Sequence, residues 1–385
     1  VFNRLGAQNP NWITYSLRRD AIFMNRGNPM DSDNGKPLTQ VNRPVADLVG
    51  NVERRPDKRP RPLVVRSIAG ACLNVEFQNL LDPEPNPNPA TQGGLFNDDQ
   101  VAGRCAGFHA QGVELRESMD DDGSMVGNNN PSDDVATNCV LGQDKRGGLV
   151  GPGGTMSYKL YTPVEGAFII NNTGALLGSE SSSGNIAVGM FGALNVEPKG
   201  SRIYRSQVTE EEMRLATVGT VPSDCVGTQI PGKDCNPGGQ PIIDYEAQYP
   251  NVEPWISEGK AELPILNMLT AGGELVHSDI NAIIAGPDPD GTWNSVCPGD
   301  ACPYPLESVG KNNPQLPNRL EAFREFTSQY HDEQTNSQVF PKWYNDPVLG
   351  FTLAGVKDQF MINYGSGGIG SEIIANRLHT GPMHD

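Results

Sequence analysis

The sequence predicts an all-β protein, a sandwich with long loops between its strands. Three observations predict it. Short runs of apolar and β-branched residues alternate with polar ones at a period of two. Glycine and proline clusters separate those runs at sandwich-like spacing. Gly 44 and Pro 32 make up about a fifth of 385 residues, more than usual but short of the composition of a disordered chain.

In chain order, residues 1–61 form an N-terminal extension. One short element is expected in NWITYSLRRDAIF, followed by proline-punctuated loop. The clearest strand signal is PLVVRSIAGACLNVEFQNLL, residues 62–81. PLVVR is a β-branched run, and after the turn residues Ala-Gly-Ala the alternation sets Leu73, Val75 and Phe77 on one face. Further strands are expected at 104–115, 155–162, 166–171 and 186–196, each bounded by turn residues. SQVTEEEMRLATVG (206–219) reads as a helix, with Thr209 as its cap and Glu210–Glu212 in the favourable first turn. A loop-rich stretch follows, and strand patterns resume in 274–284, 319–334 and 356–365. Too few strands follow residue 274 to complete a sandwich, so the second domain is expected to be cut short. The expected divisions are 1–61, 62–200, a helix and loop-rich linker 201–273, and 274–385.

Charge and hydrophobicity exclude two classes. A formal net charge of −17 argues against nucleic acid as a partner, because neutralising its phosphates requires a basic face. The single basic run, RRPDKRPRP (54–62), is broken by prolines and reads as a solvated loop. No apolar run approaches the ~20 residues of a membrane-spanning helix. The chain starts at Val1 with no signal-like apolar segment after it, which reads as a processed or trimmed product.

Seven cysteines suggest an exported protein with disulfides. Cys225/Cys235 and Cys297/Cys302 form two local pairs in Gly/Pro-rich loops without nearby histidines, which disfavours zinc. Cys105 and Cys139 flank the acidic loop and could close it, leaving Cys72 as an odd buried thiol within a strand. Sequence alone does not fix this connectivity.

Several residues invite a chemical reading. His109 in GFHAQG is one of five histidines in the chain. Its functional reading is a ligand holding one metal weakly; its plain reading is a strand histidine bonded to Gln111 or to backbone. Asp120 and Asp122 in DDDGSMVGNNNPSDD are within reach of one cation, and hard carboxylate oxygens suit calcium or manganese. The EF-hand's twelfth-position glutamate is missing, so a polar turn is the favoured account. His331, Asp332 and Glu333 diverge if they lie on a strand, because alternate side chains point to opposite faces. His379 and His384 lie in a tail read as an unstructured end. The glycines of YGSGGIGSE lack the lysine of a phosphate loop, and Asn171-Asn172-Thr173 is a formal glycosylation sequon.

The order of three stretches resembles a cupredoxin domain of the multicopper oxidases. PLVVRSIAGACLNVEFQNLL is similar to that family's early strand pair. GFHAQGVEL occupies the place of its first H-x-H-G copper motif, and LVGPGGTMSYKLYTPVEGAFIINNTGA that of the strands leading to the second. The run from GALNVEPKGSRIYRSQVT to INYGSGGIGSEIIANR is similar to the large bacterial multicopper oxidases associated with manganese oxidation. The similarity extends over most of the chain from about residue 60. It implies a cupredoxin-like Greek-key sandwich followed by a second, incomplete cupredoxin-like domain. It also implies copper as the parent family's cofactor. There, electrons pass singly from a metal or organic donor through a mononuclear copper, and dioxygen is reduced to water at a trinuclear cluster.

Position by position, the copper ligands are mostly missing. His109 is kept, but Gln111 stands where its partner histidine belongs, and Asn171 and Thr173 stand in the second pair. A mononuclear site needs a cysteine with nearby histidines, and only Cys105 with His109 has that spacing, in the wrong context. The expectation is therefore an N-terminal, structural part of an exported oxidase, itself without a complete copper site. Its partners would be the rest of that oxidase or other subunits, in an oligomer or larger assembly. The alternative is a non-catalytic extracellular cupredoxin-like structural or assembly subunit.

Overall fold

In a computed structural model, residues 13–58, 61–82, 105–124, 148–172, 189–220, 241–285, 323–331 and 361–363 are described, with positions 186, 222–223, 239 and 348. Strands dominate the described residues, and the protein is all-β. The chain divides into two compact units, 1–197 with 328–366 and 198–327 with 367–385.

The first unit opens with a 3-10 turn at Arg18–Asp20 and β1 (Ala21–Phe23), then the single turn α1 (Val45–Leu48) and β2 (Val52–Arg54), which pairs antiparallel with β1. Phe23, Leu38, Val41 and Leu48 form a small core beneath them. The intervening loop is held by charge: Arg43 contacts Asp31 at 2.6 Å and Asp33 at 2.7 Å, and its guanidinium stacks on Phe23. The basic run expected as a solvated loop is instead partly packed. Arg61 is buried, and the Arg54 guanidinium donates to the Arg61 carbonyl at 3.0 Å. Burial, reinforced by the like charge of Arg61, lowers the Arg54 pKa to about 10.

Among the described residues, seven strands build the sandwich. They are β3 (Leu63–Ile68), β4 (Ala71–Gln78), β5 (His109–Ala110), β6 (Glu114–Leu115), β7 (Thr155–Thr162), β8 (Gly166–Asn171) and β9 (Phe191–Glu197). One sheet has the order β3-β9-β8-β5, the other β4-β7-β6. β3 and β9 run parallel and are buried on both faces, which explains the uninterrupted apolar run LVV. β4 pairs with β7 along its whole length and alternates half-buried with exposed residues, so Leu73, Val75 and Phe77 share the inner face as expected. The same alternation corrects the reading of Cys72. It has the opposite parity to Leu73 and is an exposed free thiol, not a buried one. Ala69-Gly70 turns the chain from one sheet to the other, with Gly70 at φ +84°, a conformation that suits glycine.

Four aromatic rings close on one another between the sheets. Tyr15 meets Phe77 and Phe108, and both meet Tyr158, at centroid distances of 6.1–6.2 Å. Their hydroxyls are satisfied: Tyr15 donates to the Gly107 carbonyl at 2.5 Å and Tyr158 to that of Gly148. Ser67 and Thr162 add a buried hydroxyl pair at 3.1 Å between the two sheets. Cys105 is buried and disulfide-bonded. Cys139, its expected partner, lies outside the described residues, as do the two local cysteine pairs.

The second unit contains β10 (Arg202–Arg205), α2 (Glu210–Ala216), β11 (Thr217–Thr220), β12 (Pro241–Ile243), β13 (Ala282–Ala285) and β14 (Phe323–Glu325). β10-β13-β14 form one sheet and β11-β12 another. Its core gathers Tyr204, Ala216, Tyr249, Ile265, Leu266 and Ala285, so residues 201–273 supply most of that core. The helix begins where the sequence predicts. The Thr209 hydroxyl accepts from the Glu212 amide at 3.2 Å, and Glu212 accepts in return from the Thr209 amide at 2.9 Å. It ends at the β-branched pair Thr217-Val218, which continues directly as strand. A last pair, β15 (Gln329–His331) with β16 (Met361–Asn363), belongs to the first unit.

Candidate functional site

β5 alternates as a strand should. Phe108 and Ala110 are buried, so His109 and Gln111 fall on the opposite face. β5 pairs antiparallel with β8, and His109 stands directly across from Asn171; the Gln111 amide continues the ladder by donating to the Ile169 carbonyl at 3.0 Å. The first motif's histidine and the second motif's leading asparagine are therefore neighbours on adjacent strands. Thr173 lies outside the described residues. Gly112 follows at φ +71° against the Phe168 ring, where an added Cβ would come within 2.2 Å. The turn at Gln111-Gly112 takes the chain away immediately after the short strand.

The acidic turn reaches back to this strand. His109 Nδ1 lies 2.7 Å from Asp122 Oδ1. Asp122 also accepts from the Ser124 amide at 2.9 Å and from the Ser124 hydroxyl at 2.7 Å. Burial works to raise the Asp122 carboxyl, and the hydrogen bonds from Ser124 and His109 outweigh it, so it titrates below the usual carboxylate range. This geometry fixes the imidazole orientation through Nδ1 and leaves Nε2 as the ring atom not engaged by Asp122.

The three consecutive aspartates have different surroundings. Asp120 is exposed on the 3-10 turn Met119–Asp121, and its amide donates to the Ser118 hydroxyl at 3.0 Å. Asp121, which sequence reasoning passed over, is buried. Its carboxylate accepts from the amides of Lys159 (2.8 Å), Glu117 (3.0 Å) and Ser118 (3.2 Å). Burial opposes ionisation there too, and these backbone donors prevail, holding the Asp121 pKa below its ordinary value. Asp121 thus anchors the turn to β7 in one sheet while Asp122 anchors it to β5 in the other. A buried aspartate beside a serine three residues earlier is the capping-box pattern, a signal present in the sequence.

The donor set does not fit the copper group that the resemblance implies. A trinuclear copper cluster takes imidazole nitrogens, and this strand pair offers one imidazole beside the amides Gln111 and Asn171. Among the described residues, no three His, Cys, Asp or Glu side chains come together in a way that could hold a metal ion. His331 lies on β15 across from Met361, while Asp332, Glu333, His379, His384 and the YGSGGIGSE glycines beyond Asn363 lie outside the described residues. No helix among those described is long and apolar enough to cross a membrane.

No protein-family model matches the chain, and no curated protein does. Among solved structures it is similar to Lac15 from a marine microbial metagenome, at 19% identity and a TM-score of 0.17. That match covers 36% of this chain and 24% of the other.

Proposed function

We propose that this chain is the N-terminal, cupredoxin-like part of an exported multicopper oxidase, and that this part is scaffold rather than catalyst. The observation that supports the reading is one of register. His109 and Asn171, the positions where the two copper motifs would begin, face each other across β5 and β8. Order of motifs along the chain and pairing of those motifs in space agree. The donor types at the same positions support a scaffold role, since an amide oxygen binds copper poorly beside imidazole. Oxidation of a metal or organic donor and reduction of dioxygen would then belong to cupredoxin domains outside residues 1–385.

Intact mass and copper content of the native protein test this. A polypeptide well above 41.5 kDa that carries several coppers and a blue copper–thiolate absorption is the expected result. Stoichiometric copper bound within a 41.5 kDa chain would overturn the scaffold role. Copper-free material of that mass would favour the second reading, a non-catalytic extracellular structural or assembly subunit. The specific observation behind that alternative is the lone imidazole of His109 among amide neighbours.

A further inference from the structure

We draw no further inference here: the strongest candidate, the exposed free thiol of Cys72 on β4 at the end of the β4-β7-β6 sheet, is a single thiol on a sheet edge, and nothing among the described residues shows what would cover that edge.

Discussion

At His109, one ring nitrogen is committed to Asp122 at 2.7 Å, and the facing residue across the ladder is Asn171. An imidazole backed by a carboxylate is the usual posture of a metal ligand, so what the strand pair lacks is further imidazoles, not orientation. Gln111→His combined with Asn171→His supplies them on the face His109 already occupies. The double variant is expected to bind copper more tightly than the parent in calorimetric titration, with nitrogen couplings in the electron paramagnetic resonance spectrum. Adding Asp122→Asn should then weaken that binding about 10- to 100-fold, the usual cost of losing a carboxylate behind a ligating histidine. If the double variant binds no better than the parent, the register argument for the site is wrong. Asp121 carries a different load. Its buried carboxylate satisfies three backbone amides, and Asp121→Ala leaves those donors without their acceptor, a loss of about 1–3 kcal/mol in denaturant unfolding. Asp120→Ala, one residue away but exposed, should stay within about 0.5 kcal/mol of the parent.

Among the elements, α2 shows how a seven-residue helix persists. Its propensity alone is too small at that length, and tertiary attachment does the rest. Glu212 is both the return half of the capping box and the partner of buried Arg205, at 3.1 Å, and it accepts from the Tyr249 hydroxyl. Burial pushes its carboxyl up, while the Arg205 charge and these donors bring it down to about 2. Glu212→Ala takes one of two carboxylates from the buried Arg205 guanidinium, leaving Asp279 at 3.3 Å and the Ile265 carbonyl at 3.1 Å, and is expected to cost about 1.5–3 kcal/mol, whereas Thr209→Ala removes only the cap and should cost about 1 kcal/mol. Equal effects in thermal or denaturant unfolding would show that the ion pair contributes little beyond the cap. The cap itself was legible in the sequence, because Thr209 and Glu212 lie three residues apart and act locally. So were β3, β4, β7 and β8, whose alternation or β-branched content is written in consecutive residues. The Arg205 pairing was not, since it depends on how β10 and α2 pack. His109 with Asp122 was hidden for the same reason: they lie thirteen positions apart with a 3-10 turn between them, and three aspartates in a row look alike until one is buried. Cys72 is the opposite case. Its exposure follows from the same parity that places Leu73 inward, so strand alternation outweighs the general tendency of a cysteine to be buried.

For the whole molecule, charge and burial make separable demands on pH. With 46 acidic against 29 basic side chains the protein is strongly anionic at neutrality, and its isoelectric point is about 4.7. Near that pH the net-charge repulsion between copies vanishes, so association should be greatest there and should lessen again as the net charge turns positive. Loss of folding should begin lower. Asp121, Asp122 and Glu212 all have carboxyls held below their ordinary values in the folded state. A carboxyl depressed on folding stabilises the native state fully above its unfolded pKa of about 4, and that contribution disappears as pH falls through the folded value. For Glu212 the window runs from about 4 down to about 2. Light scattering should therefore rise around pH 4.7 while circular dichroism still reports the native sheets, and the dichroism should change only below about pH 4. Glu212→Gln, which keeps much of the hydrogen bonding and removes the titrating group, should flatten the acid limb of stability without moving the scattering maximum. An acid limb unchanged in that variant would mean that Glu212 does not govern acid stability. A scattering maximum that moved with it would mean that association follows unfolding rather than net charge.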